Sequence, residues 1–317
     1  MKKIIAVMGI CLMLTGCANA VEISERDMVV VMGVDKAHTD SFKATVGSAV
    51  ITGENGGKGK LGVRSAEAES LPSALEMNDR ADALSPFYGQ LKTVIIGEGV
   101  LKDDEMLENV TEVLLKNNDI NMRTIVLGCR GEAEEVVKAV SKKENEYGLF
   151  IWDYYKNLGD ASGDTFRMTV NDIATKKDGG YILPACEAVE DDIKIGGGFV
   201  MDGLAFKGTL DGGQMLGAML IKEDIKDTII SYGKEAGKIK SNKRKISFTD
   251  KNDECRIDIF IKVQPLTEDF DTKKAEDELE KHVEGALAKI YGEYKTDALR
   301  IADGDLRFKV NVFMGIE

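Results

Sequence analysis

The chain has 317 residues and a formal charge of −13 at pH 7, with 43% apolar and 31% charged side chains, the balance of a soluble globular protein with room for two domains or three small ones. The acidic excess argues against nucleic acid as a partner, because phosphate recognition needs a basic surface. Two histidines and five cysteines, with no CxxC and no zinc-ligand spacing, give no metal centre and no cofactor to read.

The first twenty residues are MKKIIAVMGICLMLTGCANA. Lys2 and Lys3 precede an uncharged run from Ile4 to Leu14, which is the layout of a secretory leader. A spanning helix would need about 20 residues. Leu14-Thr15-Gly16-Cys17 resembles the bacterial lipobox. That resemblance implies a leader over 1–16 and acylation of Cys17, which becomes the first mature residue and is the one site residue expected here. Ala18-Asn19-Ala20 offers an ordinary cleavage site as the alternative. One acyl chain holds a protein to a bilayer marginally and two hold it stably. The expectation is an extracytoplasmic body on a lipid anchor. Losing Lys2 and Lys3 makes that body more acidic still, so its net charge holds it off an anionic membrane. Cys129, Cys186 and Cys255 remain in it and read as buried free thiols, with one disulfide open to them in an oxidising compartment.

Met28 to Val34 is a continuous, β-branched apolar run and reads as a buried strand. Phe42 to Val46 starts a second strand beyond a polar turn, and Gly53 to Lys60 is a loop by composition. Leu71 to Leu84 reads as a helix capped by Ser70 with Pro72 in its first turn. Leu91 to Gly97 is a strand, and Asp103-Asp104 opens a helix carrying Leu107, Val110 and Leu114 at helical spacing. A strand follows at Arg123 to Leu127 and a short helix at Glu132 to Val140. Two more helices are expected, one holding Phe150, Trp152 and Tyr155 and one from Phe166 to Ala174. Tyr181 to Ala185 reads as an edge or end strand because of Pro184.

Charge marks a boundary near Val189 to Asp192. Past it, Gly198 to Phe206 reads as a hairpin around Asp202-Gly203, with a short helix over Met215 to Ile221. Strands are expected at Asp227 to Tyr232, Lys243 to Phe248 and Cys255 to Val263. The longest helix, 271–294, carries Leu279, Val283, Leu287, Ile290 and Tyr294 on one stripe, and Leu306 to Phe313 closes the chain as a strand. The fold class is α/β (α+β): mixed sheets with helices packed on them, three small domains in an elongated lipid-tethered ectodomain. The division is a leader over 1–16, an α/β region over 17–188 that can split into two subdomains, and a C-terminal α/β domain over 189–317.

Reactive constellations fail one by one. His38 sits in a polar turn and His282 beside a helical stripe, and both read as surface groups. No Gly-x-Ser-x-Gly elbow and no zinc-holding histidine pair occurs. A P-loop ending at Gly59-Lys60 would need glycine at Glu54 and Ser or Thr at Leu61. Gly196-Gly197-Gly198 enters a hairpin rather than a helix. Asp250 to Glu254 has a calcium-loop flavour, but Cys255 stands where such a loop needs glycine.

The ordered motifs resemble the Ger(x)C lipoproteins, the C subunits of spore germinant receptors. Glu22-Ile23 through Gly33-Val34-Asp35-Lys36 is similar to the family's segment after the lipidated cysteine. Tyr88 to Glu98, Asp119 to Thr124, and Gly198 through Leu210 match its later segments in order. Ala18-Asn19 replaces the family's usual Trp-Asp pair, and the chain is shorter than many members. The resemblance implies a non-enzymatic lipoprotein of three α/β domains on the outer face of the spore's inner membrane, working beside integral-membrane A and B type subunits in the nutrient response. Size and tether alone also fit a solute-binding lipoprotein of an ABC importer. A lipid-tethered hydrolase fits less well, for want of a nucleophile and base.

Overall fold

The computed structural model describes residues 26–38, 40–50, 60–80, 84–143, 148–159, 161–176, 179–249, 254–301 and 306–317. Its strands form two mixed sheets, as the α/β class requires. In the larger, β1 (Arg26–Lys36) lies antiparallel to β2 (Phe42–Val50), which lies antiparallel to β3 (Lys60–Ala68). On its other side β1 runs parallel to β4 (Ser85–Phe87) and to β5 (Thr93–Gly97). The parallel run continues through β6 (Ile125–Cys129) to β7 (Gly180–Val189). The antiparallel strands β8 (Asp192–Asp202) and β9 (Ala205–Leu210) complete the sheet. This sheet therefore takes strands from both sides of the expected 188/189 division.

The central strands are apolar throughout because both their faces are covered. Val94, Ile96 and Val126 point to one face, and Ile95, Ile125 and Leu127 to the other. The first face carries α1 (Leu71–Arg80), the short α2 (Glu98–Leu101), α3 (Asp104–Lys116) and α6 (Val170–Thr175). The second carries α4 (Ala133–Lys142) and α5 (Phe150–Leu158). Asp103 caps α3 by accepting the Met106 N–H, 3.1 Å away.

The smaller sheet joins β10 (Thr228–Tyr232), β11 (Glu235–Phe248) and β12 (Glu254–Pro265) antiparallel, with β13 (Arg307–Ile316) parallel to β12. Cys255, Ile257, Ile259, Ile261 and Val263 alternate inward along β12, onto α8 (Thr272–Leu287) and α7 (Gly212–Lys222). Helix α7 is apolar nearly all round, and it lies between the sheets, touching β8 and β9 on one side and β11, β12 and α8 on the other.

Several sequence expectations need correction. No helix runs from Phe166: residues 166–169 are extended, with bridges Ala161–Phe166 and Ile125–Thr169, and the helix starts at Val170 because Thr169 and Asp172 form a reciprocal capping box. Strand β7 has a neighbour on each side, but its stretch Tyr181–Pro184 pairs only with β8, so the proline lies where one side of the strand is unpaired. Its pairing with β6 begins only at Ala185, and its ladder with β8 is irregular between Pro184 and Cys186, so the proline's missing N–H falls at a bulge. The hairpin loop is Gly203-Leu204, since Asp202 pairs with Ala205. The long helix changes at Leu287 into a π-helical turn over Ala288–Glu293. The glycine loop 53–59 and the acidic turn 250–253 lie outside the described residues.

Candidate functional site

Cys17 lies outside the described residues. Among those described, a cleft of about 560 Å³ lies between the sheets, walled by α5, the turn 162–164, the first turn of α7, β10 and His282 of α8. The turn is folded on itself. Ser162 N–H donates to the Thr165 carbonyl at 2.8 Å, Ser162 Oγ donates to Asp164 Oδ1 at 2.7 Å, and the Asp164 carbonyl accepts the Gly197 N–H at 2.9 Å. One bond ties this turn to the second sheet: Gly163 N–H donates to Thr228 Oγ1 at 2.9 Å. A Cβ at position 163 would stand 2.5 Å from the Thr228 methyl and 2.7 Å from the Leu216 side chain, so a larger residue would push these side chains back.

On the opposite wall Asp211 caps α7, accepting the Gln214 N–H at 2.8 Å while Gln214 Oε1 accepts the Asp211 N–H at 3.1 Å. His282 seats against Gly213, where a Cβ would lie 2.7 Å from the imidazole. His282 is thus half-buried in the cleft wall rather than a surface group, whereas His38 is exposed as expected. Burial, with the Asp164 charge behind it, pushes the Tyr154 hydroxyl up to about 12. The Tyr232 hydroxyl is buried with no hydrogen-bond partner among the described residues, and burial raises its pKa. Asp227 at the rim is held below the usual carboxylate range by hydrogen bonds from Lys238 and Lys240. Leu158, Leu216 and Ile229 supply apolar wall. This chemistry suits reversible docking of a small solute by burial and isolated hydrogen bonds. The Ser162 hydroxyl is committed to its own turn, not to an imidazole.

The glycine triplet serves an arginine. Arg130 donates to the Gly196 carbonyl at 3.1 Å and the Leu210 carbonyl at 2.9 Å, and a side chain at Gly197, whose φ is +74°, would collide with the guanidinium. Cys129 and Cys186 are register partners on β6 and β7, and they, like Cys255, are buried and free. A hydrogen bond with the Cys129 thiol and burial hold the Cys186 thiol well above its ordinary range. Among the described residues no cluster of His, Cys, Asp and Glu could hold a metal ion, and no helix is long and apolar enough to cross a membrane.

Two family models match in tandem: "Spore germination protein N-terminal domain" over residues 19–187 and "Spore germination B3/ GerAC like, C-terminal" over residues 196–304. The chain belongs to the Ger(x)C family of spore germination proteins. A solved structure titled "Crystal Structure of the GerBC protein" shares the fold, with a TM-score of 0.54 and 15% identity over 90% of this chain and 96% of that one. No curated protein matches.

Two of the segments that carry the Ger(x)C resemblance meet in space. Asp35, at the end of β1, is buried and accepts the N–H groups of Ala133 at 2.6 Å and Glu134 at 2.8 Å, the first residues of α4. Its carboxylate thereby satisfies two of the helix's unpaired donors and faces the positive end of its dipole. Gly97 ends the neighbouring strand, and a side chain there would collide with Asp35. Glu98 then starts α2, its N–H donating to the Gly131 carbonyl at 3.1 Å. Lys36 bonds Asp103 at 2.8 Å. The family segments at Gly33–Lys36 and Ile95–Glu98 are a helix-seating device.

Proposed function

We propose that this chain is the C subunit of a nutrient germinant receptor, a lipoprotein anchored through Cys17 on the outer face of the spore's inner membrane beside integral-membrane A and B type subunits. Its part is non-enzymatic, and the receptor needs it to respond. One observation carries the reading: two spore-germination family models in tandem, in order, over residues 19–187 and 196–304. That order favours the receptor over a solute-binding lipoprotein of an importer. The lipobox supports the anchor, since Leu14-Thr15-Gly16-Cys17 closes a leader too short to span.

The test is dipicolinic acid release from spores lacking paralogous receptors, comparing wild type, a deletion and Cys17→Ala across a nutrient panel. Loss of response to at least one nutrient class in the deletion is the expected result. Cys17→Ala is expected to move the protein from the membrane fraction to the soluble fraction and to reproduce the loss. Full release with every nutrient in the deletion strain would refute the receptor role.

A further inference from the structure

One face of the four-stranded sheet is covered by α7 and α8, and the other is open. On the open face Phe260 and Phe313, partners in the β12–β13 register, stack with ring centroids 5.2 Å apart and planes 16° from parallel. They are 48% and 44% exposed. Strand alternation puts Lys243 and Lys245 of β11, Arg256 and Lys262 of β12 and Lys309 of β13 on this same face, all exposed. Two carboxylates share the face: Asp258, already bonded by Arg256 at 3.0 Å and Asn311 at 2.7 Å, and Glu254 at the end of β12, beside Arg307 in the β12–β13 register. Lys245 lies beside Asp258 in the β11–β12 register. Lys243, Lys262 and Lys309 have no ion-pair partner among the described residues, although acidic residues outnumber basic ones 55 to 42 in the chain. Cations so outnumbered, yet left unpaired around two exposed rings, are arranged for something outside the molecule.

We infer that this face docks on the surface of a bilayer rich in anionic lipid, with the cations on lipid phosphates and the phenylalanine pair at the acyl boundary. Charge complementarity selects the anionic surface, and the exposed rings select one with an apolar layer beneath its charge. The inference rests on the Cys17 anchor only for bringing the bilayer near: residues 17–25 reach no more than about 30 Å when fully extended. Net charge alone would hold the body off such a membrane. At physiological salt, however, charges act over roughly 8 Å, so the facing side decides and the acidic groups behind it do not. Docking here would orient the subunit as well as hold it.

The test uses the chain from Ala18 onward, which keeps every described residue and carries no lipid, in co-sedimentation with phosphatidylcholine vesicles with and without phosphatidylglycerol. Binding only to the phosphatidylglycerol vesicles, falling at least about tenfold in Lys243→Glu/Lys262→Glu/Lys309→Glu, is expected. Phe260→Ser/Phe313→Ser should also weaken it. Reversal of Lys116, Lys142 and Lys281, elsewhere on the surface, should leave it unchanged. All these side chains point outward, and circular dichroism with thermal unfolding confirms the folded state of each variant. Equal association with both vesicle types, undiminished binding by the triple reversal, or an equal loss in the control set would overturn the inference. Because no acyl chain is present, failure here leaves the Cys17 anchor and the receptor role standing.

Discussion

Asp35 is a buried acid whose environment works in two directions. Removal from water raises its pKa to about 6 from 3.8, opposed by the two helix N–H bonds and reinforced by Glu132 and Glu134. Between those values the folded chain binds a proton that the unfolded chain has released. Stability from this group is therefore fully present at low pH and is lost as pH rises through 6, by about 3 kcal/mol in all. Asp35→Asn keeps the shape and removes the titration. Urea unfolding of both proteins from pH 4 to pH 7 should show wild type losing ground to the variant as pH rises. A constant difference across that range would show that Asp35 does not carry the charge cost described. Asp35→Ala is the contrasting case, because it strands two helix donors: it should destabilise by about 2 kcal/mol at low pH, with a deficit that shrinks as pH rises and wild type loses its own stability. The sequence marks Gly33-x-Asp35-Lys36 as a motif through resemblance. It does not reveal that the carboxylate is spent on a helix 98 residues away.

Between elements, α7 packs closely against α8, and Gly217 makes the approach possible. A Cβ at 217 would collide with the His282 carbonyl and stand 2.7 Å from the Val283 nitrogen, both backbone atoms that cannot swing aside. Gly217→Val should therefore destabilise by at least about 2 kcal/mol, whereas Gly292→Ala, with open space around the new methyl, should be near neutral. Chemical denaturation of the pair checks this, and comparable midpoints would mean that the helices part without cost. Helix and central-strand positions were largely legible because caps and apolar periods are local: Asp103, Asp271 and the inward alternation of β12 all act where the sequence places them. Strand β3 was not legible. Its residues Lys60–Ala68 carry no apolar run, and it exists because β2 offers an edge to pair with. The cleft was hidden for a related reason, since Asp164, Thr228, Tyr232 and His282 come from distant segments and only the packing of α7 between two sheets gathers them.

At the scale of the whole molecule, the division seen in sequence and the division made by hydrogen bonding do not coincide. Charge marks a boundary near Val189, and the two family models leave their gap between 187 and 196. Yet that gap falls inside the β7–β8 hairpin, whose ladder runs from Gly180–Asp202 to Val189–Asp192. Strand β8 supplies Phe199, Val200 and Met201, all fully buried, and covers a strand whose Ile182, Leu183 and Ala185 are buried as well. A chain cut after residue 188 would open β7 as an apolar edge, with its ladder groups unpaired along a strand built to lie inside a sheet. Burial of each such side chain is worth about 1.5–3 kcal/mol, comparable, for only a few of them, with the whole stability of a domain. Residues 18–188 expressed alone are therefore expected to aggregate or to melt without a cooperative transition. Residues 18–222, which retain β8, β9 and the covering α7, should stay soluble and unfold cooperatively, at a lower temperature than the full chain because α7 has lost α8. Thermal unfolding followed by circular dichroism on both fragments decides the matter. A cooperative transition in 18–188 would establish the sequence boundary as a folding boundary and make β8 and β9 an addition to a sheet already complete.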